Sequence, residues 1–170
     1  YKGHIMLGSP SVRVVAVEPG YGVFTFGPLA ISVWRGDVRA AWVRRAIEST
    51  RAVAREFPLE AVAIHLAEEI APIPGNEARD AFLDAVRSSQ GLCCATAIGE
   101  GDGFATAVMR TIVAGLTLVA RPAAPLKVHA TVDEASQWVV TQRPPKAKMS
   151  LTAADIAAAI ESARRGLPKS

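Results

Sequence analysis

His65 stands inside the apolar run Ala61-Val62-Ala63-Ile64-His65-Leu66, and Glu68 and Glu69 follow it. An imidazole near two carboxylates could serve acid–base chemistry or hold a metal, because its ordinary pKa lies near neutrality and its ring nitrogens ligate. Strand alternation, however, groups His65 with Ala61 and Ala63 and leaves both glutamates past the strand end. An interior or edge histidine is the preferred reading. His129 lies on another short strand and could approach His65 only if the two strands were neighbours. A zinc site built from both would lack a third and a fourth ligand, so no metal is expected.

Other candidates yield to simpler readings. Gly99-Glu100-Gly101-Asp102-Gly103 joins a strand to a helix, which is where phosphate loops occur. Its spacing is G-x-G-x-G, it places two carboxylates where a phosphate needs donors, and the Lys-Ser/Thr of a P-loop is absent. A turn feeding the helix is expected. Arg110 interrupts the apolar run Phe104 to Ala120 and is expected to pair with a carboxylate or to reach the surface along its stem. Its functional alternative is to receive an anionic head group. Cys93 and Cys94 should point to opposite faces of a strand, where a disulfide between them would be strained, and no cationic neighbour is visible to activate a thiol. Ser49, Ser88 and Ser89 sit in no Gly-x-Ser-x-Gly elbow. Trp34, Trp42 and Trp138 could cage a ligand, although packing is preferred. The chain therefore reads as non-catalytic, with no cofactor.

The elements that must position these residues follow from pattern. Val12 to Val17 is β-branched and closes with Glu18-Pro19-Gly20, a strand and a turn. Val23 to Phe26 and Ala30 to Trp34 complete a meander. A helix starts near Asp37, its expected cap, and stops at Pro58. Strand Ala61 to Leu66, a helix from Glu77 to Ser89 capped by Asn76, strand Leu92 to Ile98, helix Phe104 to Ala120, strand Leu126 to Ala130 and helix Val132 to Val140 follow. Continuous apolar strands suit a sheet covered on both faces. Alternation of strand and helix implies a mostly parallel sheet, which the opening meander makes mixed. The organisation expected is a start at 1–11 that is vector-derived or disordered, an α/β domain over 12–141, a basic Pro-containing linker at 142–151 and a tethered C-terminal helix at 152–166. Tyr1 in place of Met, and Met6 after Gly3-His4-Ile5, motivate the vector reading.

Composition bounds the function. The chain has 170 residues, half of them hydrophobic and 21% charged, enough for one packed core and too apolar for wholesale disorder. Aromatics are only 6%, so the core must be aliphatic. Net charge is +3, and residues 142–170 alone carry six basic and two acidic side chains. The body is therefore near neutral, which argues against a nucleic-acid surface on it. The longest apolar run is short for a membrane span and carries Arg110, so a buried helix of a soluble domain is expected. Two adjacent cysteines and no visible secretory signal point to the cytoplasm.

This element order resembles the STAS domain, the fold of bacterial anti-sigma-factor antagonists, and its SpoIIAA-like relatives. The resemblance spans about residues 12 to 140. It is carried by Val33-Trp34-Arg35-Gly36 before the first helix and by the ending Lys127-Val128-His129, Asp133-Glu134-Ala135 and Trp138. Some relatives resemble lipid-binding CRAL-TRIO domains in architecture. Antagonist STAS domains present a phosphorylatable Ser or Thr after a strand, and the matching segment Ile70 to Asp80 has none. A phosphoswitch is thus not expected.

The resemblance implies a non-enzymatic, regulatory binding module of a bacterial cytoplasm that takes a protein partner or forms a homodimer through its C-terminal helix. The expected surface comprises Ile73, Asn76 and Glu77, the turn at Gly103 and Phe104, and the tail stripe Ile156, Ile160 and Ala163. The alternative is a small-ligand or lipid-binding domain, with an apolar pocket between sheet and helices gated by Phe104 and with Arg110 nearby.

Overall fold

A computed structural model describes residues 11–68, 74–102 and 104–168, without the side chains of 104–106 and 109. Three strands open the chain: β1 (Arg13–Glu18), β2 (Tyr21–Phe26) and β3 (Leu29–Trp34). Next come α1 (Ala40–Glu56), β4 (Ala61–Ala67), α2 (Asn76–Arg87), β5 (Leu92–Gly99), α3 (Phe104–Ala120), β6 (Leu126–His129), α4 (Val132–Gln142) and α5 (Ala153–Arg165). The fold is α/β, with a six-stranded mixed sheet. Strand order follows the chain, β1-β2-β3-β4-β5-β6. The first three strands pair antiparallel and β3 to β6 pair parallel.

A strand order that never reverses places the three crossover helices on one face, since each parallel crossover turns with the same hand. Helix α1 packs on β2, β3 and β4, and α3 packs on β5 and β6. Helix α2 rests chiefly on α1 and α3. On the opposite face α5 covers β2 and β3, while α4 covers β5 and β6.

The opposite face holds the main core. Phe24, Ile31, Val62, Ile64, Leu66 and Ile98 meet Ala135, Val139, Ile156 and Ile160 there, all buried. Burying one such aliphatic side chain contributes about 1.5–3 kcal/mol. The stripe Ile156, Ile160 and Ala163 is fully buried against this sheet. That corrects its assignment as a partner surface: it is covered by the chain's own body. Gly166 makes the seating close, because a Cβ there would fall 2.7 Å from the Phe24 ring.

The basic segment before α5 is also held down. Lys148 donates its backbone N–H to both oxygens of Glu60, at 3.0 and 2.9 Å. Arg143 donates to the Met149 carbonyl at 2.7 Å. At the far end of α5, Arg164 donates to both oxygens of Glu100, at 2.8 and 2.6 Å.

Several boundaries differ from expectation. Helix α1 starts at Ala40 behind Arg39, with no side-chain cap, so Asp37 does not cap it. Gly75 is the N-cap of α2, and Asn76 is its first helical residue. The last two helices are capped by side chains: Thr131 accepts from the Glu134 N–H, and Thr152 with Asp155 forms a full capping box. Helix α3 is not the buried helix expected. It lies over the sheet edge, and Leu118 is 83% exposed. Among the described residues no helix is long and apolar enough to cross a membrane.

Candidate functional site

The two faces of the sheet differ in side-chain size. Toward α4 and α5, β4 presents Val62, Ile64 and Leu66. Toward α2 it presents Ala63, His65 and Ala67, and β5 presents Ala95, Ala97 and Gly99. Small residues under a helix that is propped on its neighbours leave space. The result is a cavity of about 130 Å³, roofed by Phe82, Ala85 and Val86 of α2 and walled by Ile47 of α1 and Leu116 of α3. An apolar cavity of about 150 Å³ is enough for a benzene-sized guest.

The polar side chains of its wall are largely engaged elsewhere. Thr50 donates to the Ala46 carbonyl, Arg79 donates from Nε to the Pro74 carbonyl, and the Ser89 hydroxyl accepts from the Ala123 N–H. Arg51 and Gln90 are exposed at the rim. His65 is different. Its Nδ1 lies 2.7 Å from Ser32 Oγ, directly across the β3–β4 pairing. Its Nε2 makes no hydrogen bond among the described residues, and the ring lines the cavity edge-on to Phe82, 5.8 Å between centroids. Burial pushes the imidazole pKa down to about 4, so the ring is neutral at physiological pH.

Ser32 is itself anchored. Its Oγ accepts from Trp34 Nε1 at 2.9 Å, and the residue is buried. Trp34 in turn packs on Tyr21, which stacks on Trp42 at 4.7 Å and 5°. A hydroxyl beside an imidazole invites comparison with a hydrolytic pair. Here the serine is behind the ring and does not line the cavity, so a guest meets the imidazole and not the hydroxyl. Among the described residues no carboxylate touches His65. Glu68 pairs with Arg35 at 2.7 and 3.1 Å, and Glu69 lies outside the described residues.

The remaining sequence candidates scatter. His129 faces the opposite side of the sheet, hydrogen-bonded to Thr96 at 2.9 Å and 5.3 Å from the Trp138 ring. It is two strands from His65, and among the described residues no metal-binding cluster exists. Trp34 and Trp42 flank Tyr21 while Trp138 lies on the other face, so the three form no cage.

A bulge opposite Ala61 and Val62 skips Cys93 in the β4–β5 register. Both cysteines therefore pack toward the main core, not on opposite faces as alternation implied. Arg110 does not reach the cavity. It latches the β5–α3 turn by donating to the carbonyls of Gly99 and Gly101, at 3.0 and 3.4 Å, and borders a shallow groove along β6. Asn76 and Glu77 are exposed on the first turn of α2. Ile73, Gly103 and the Phe104 side chain lie outside the described residues.

Sequence reading offered an apolar pocket between sheet and helices as its alternative, but bordered it with Phe104 and Arg110 rather than these residues, and it missed the Ser32–His65 pair. The available signals were the alternation of small and large residues along β4 and the single polar residue at the centre of each of β3 and β4.

No known protein-family model matches the chain, and no curated protein is significantly similar to it.

Proposed function

We propose that this chain is a non-enzymatic STAS-like binding domain of a bacterial cytoplasm whose ligand is a small apolar molecule held between sheet and helices. One observation carries this reading: an apolar cavity under α2 containing one neutral imidazole. Cavities lined by carbon with few placed polar groups are the usual form of small-molecule sites. The strand order supports the location. A sheet wound in one direction has no crevice at a point of strand reversal, where doubly wound sheets bind ligands. Space lies instead beneath the crossover helices.

The partner-binding reading loses its best-defined surface, because the α5 stripe is covered. Among the described residues a hydrolytic reading lacks an accessible nucleophile beside His65.

The test is methyl NMR of the full chain with benzene added. Shifts confined to Ala63, Ala97 and Leu116, with a rise in melting temperature, are expected. Unchanged methyl signals at saturating benzene would sink the reading.

A further inference from the structure

We infer that the cavity selects an uncharged, ring-sized molecule carrying one hydrogen-bond acceptor of carbonyl type, which the Nε2–H of His65 caps. This rests on the cavity being a ligand site and adds the chemistry of its ligand.

The hydrogen bonds around Ser32 fix which ring nitrogen carries the proton. One lone pair of Ser32 Oγ is taken by Trp34 Nε1–H at 2.9 Å. The serine proton then has two candidate acceptors: His65 Nδ1 at 2.7 Å and the Ile64 carbonyl at 3.4 Å. Hydroxyl donors sit about 2.5–3.0 Å from their acceptors, so the carbonyl is too far for a good bond. A distance of 2.7 Å is also short for a neutral N–H donor, whose bonds centre near 2.9–3.0 Å. Both distances assign the proton to serine, with Ser32 donating and His65 Nδ1 accepting. A neutral imidazole accepting at Nδ1 is protonated at Nε2. The anchored chain Trp34–Ser32–His65 thus presents a single N–H donor to an apolar space.

That donor has no hydrogen-bond partner among the described residues. A buried water ordinarily makes about three hydrogen bonds. Of the wall's other polar groups, the Thr50 proton, the Arg79 Nε–H and one Ser89 lone pair are already engaged. A ketone, ester or ether oxygen needs only one. A carboxylate would lose its hydration against walls that are mostly carbon, with the Arg51 guanidinium exposed at the rim and Arg79 held through Nε by the Pro74 carbonyl. A neutral acceptor avoids that cost.

The experiment compares cyclohexanone with methylenecyclohexane, near-isosteres with and without an acceptor, by NMR titration of the full chain. Cyclohexanone should bind about tenfold tighter, the scale of one hydrogen bond. His65→Phe should remove that preference while still admitting methylenecyclohexane. Ring-nitrogen NMR of the unliganded protein should show a protonated Nε2 and a bare Nδ1. Equal affinity for both probes, or a proton on Nδ1, overturns the inference and leaves the cavity reading standing. Failure of both probes to bind the unmodified protein overturns the cavity reading and the inference together.

Discussion

Ser32 and His65 face each other across paired parallel strands, 2.7 Å from hydroxyl to Nδ1, and the imidazole lines the cavity. The serine therefore orients the ring without meeting a guest. Ser32→Ala should free the ring to exchange tautomers and should strand the Trp34 indole N–H. A stability loss of about 1–3 kcal/mol is expected. Denaturant unfolding measures it, and ring-nitrogen NMR should then show both tautomers. A single unchanged tautomer would mean that Ser32 does not set it.

Stability should fall in mild acid. Unfolded His65 takes up a proton near pH 6.5, whereas the buried ring does so only near pH 4. Between these values the unfolded chain binds more protons, so stability declines as pH drops from about 6.5 to 4 and then levels off. At about 1.36 kcal/mol per unit this amounts to roughly 3 kcal/mol. His129 is shifted down as well, chiefly by burial, and adds in the same direction. Asp155 is held below the usual carboxylate range by Thr152, so its contribution is lost only at still lower pH. Urea melts at pH 7 and pH 4.5 should show the decline, and His65→Gln should flatten most of it. An equal slope in that variant would place the effect elsewhere.

Filling the cavity should separate binding from folding. Ala97 sits on its floor. Ala97→Leu should abolish binding of ring-sized probes while changing stability by no more than about 2 kcal/mol, as cavity filling offsets imperfect fit. Undiminished benzene binding in this variant would contradict the location of the site.

Helix α5 should behave as core. Ile160 is fully buried, and Ile160→Ala should cost about 2–5 kcal/mol, a fall of several degrees in melting temperature. Arg164→Ala, which removes a partly exposed pair with Glu100, should cost under about 1 kcal/mol. If the two rank the other way in a thermal melt, the helix is held by charge rather than by packing.

The two thiols should differ in reactivity. Cys94 is buried in the core and its thiol is pushed far up, first by the hydrogen bond shared with Cys93 and then by burial. Cys93 is only partly buried, and its thiol is lowered by its bond to Cys94, against the effect of burial, with help from Arg143. Alkylation at neutral pH should mark Cys93 first and leave Cys94 until denaturant is added. Mass spectrometry of the labelled peptide reads the order.

Much of the fold was legible because it rests on local pattern. Phe104 to Ala120 is the expected helix to the residue, since Gly103 and Arg121-Pro122 bracket it. The spacing of Thr152 and Asp155, three residues apart, is that of the capping box they form. The site was less legible because it depends on register and on what a helix stands on. Ser32 and His65 are far apart in the chain, and only in-register pairing joins them. Ala63, Ala95 and Ala97 reveal small side chains, not that α2 is propped above them by α1 and α3. The stripe on α5 likewise states that something covers it. That the cover is β2 and β3 follows from tertiary contacts alone.

The docking of α5 on β2 and β3 has a consequence in time. Contacts between elements near opposite ends of the described chain form late, because a long loop must close before they are rewarded. During synthesis the opening meander emerges with Phe24 and Ile31 bare, and stays so until α5 leaves the ribosome. Throughout that interval the half-built sheet exposes a face rich in β-branched residues, a surface prone to association with other chains. The hydrophobic face that this protein must hide longest is thus set by its translation order rather than by its finished structure.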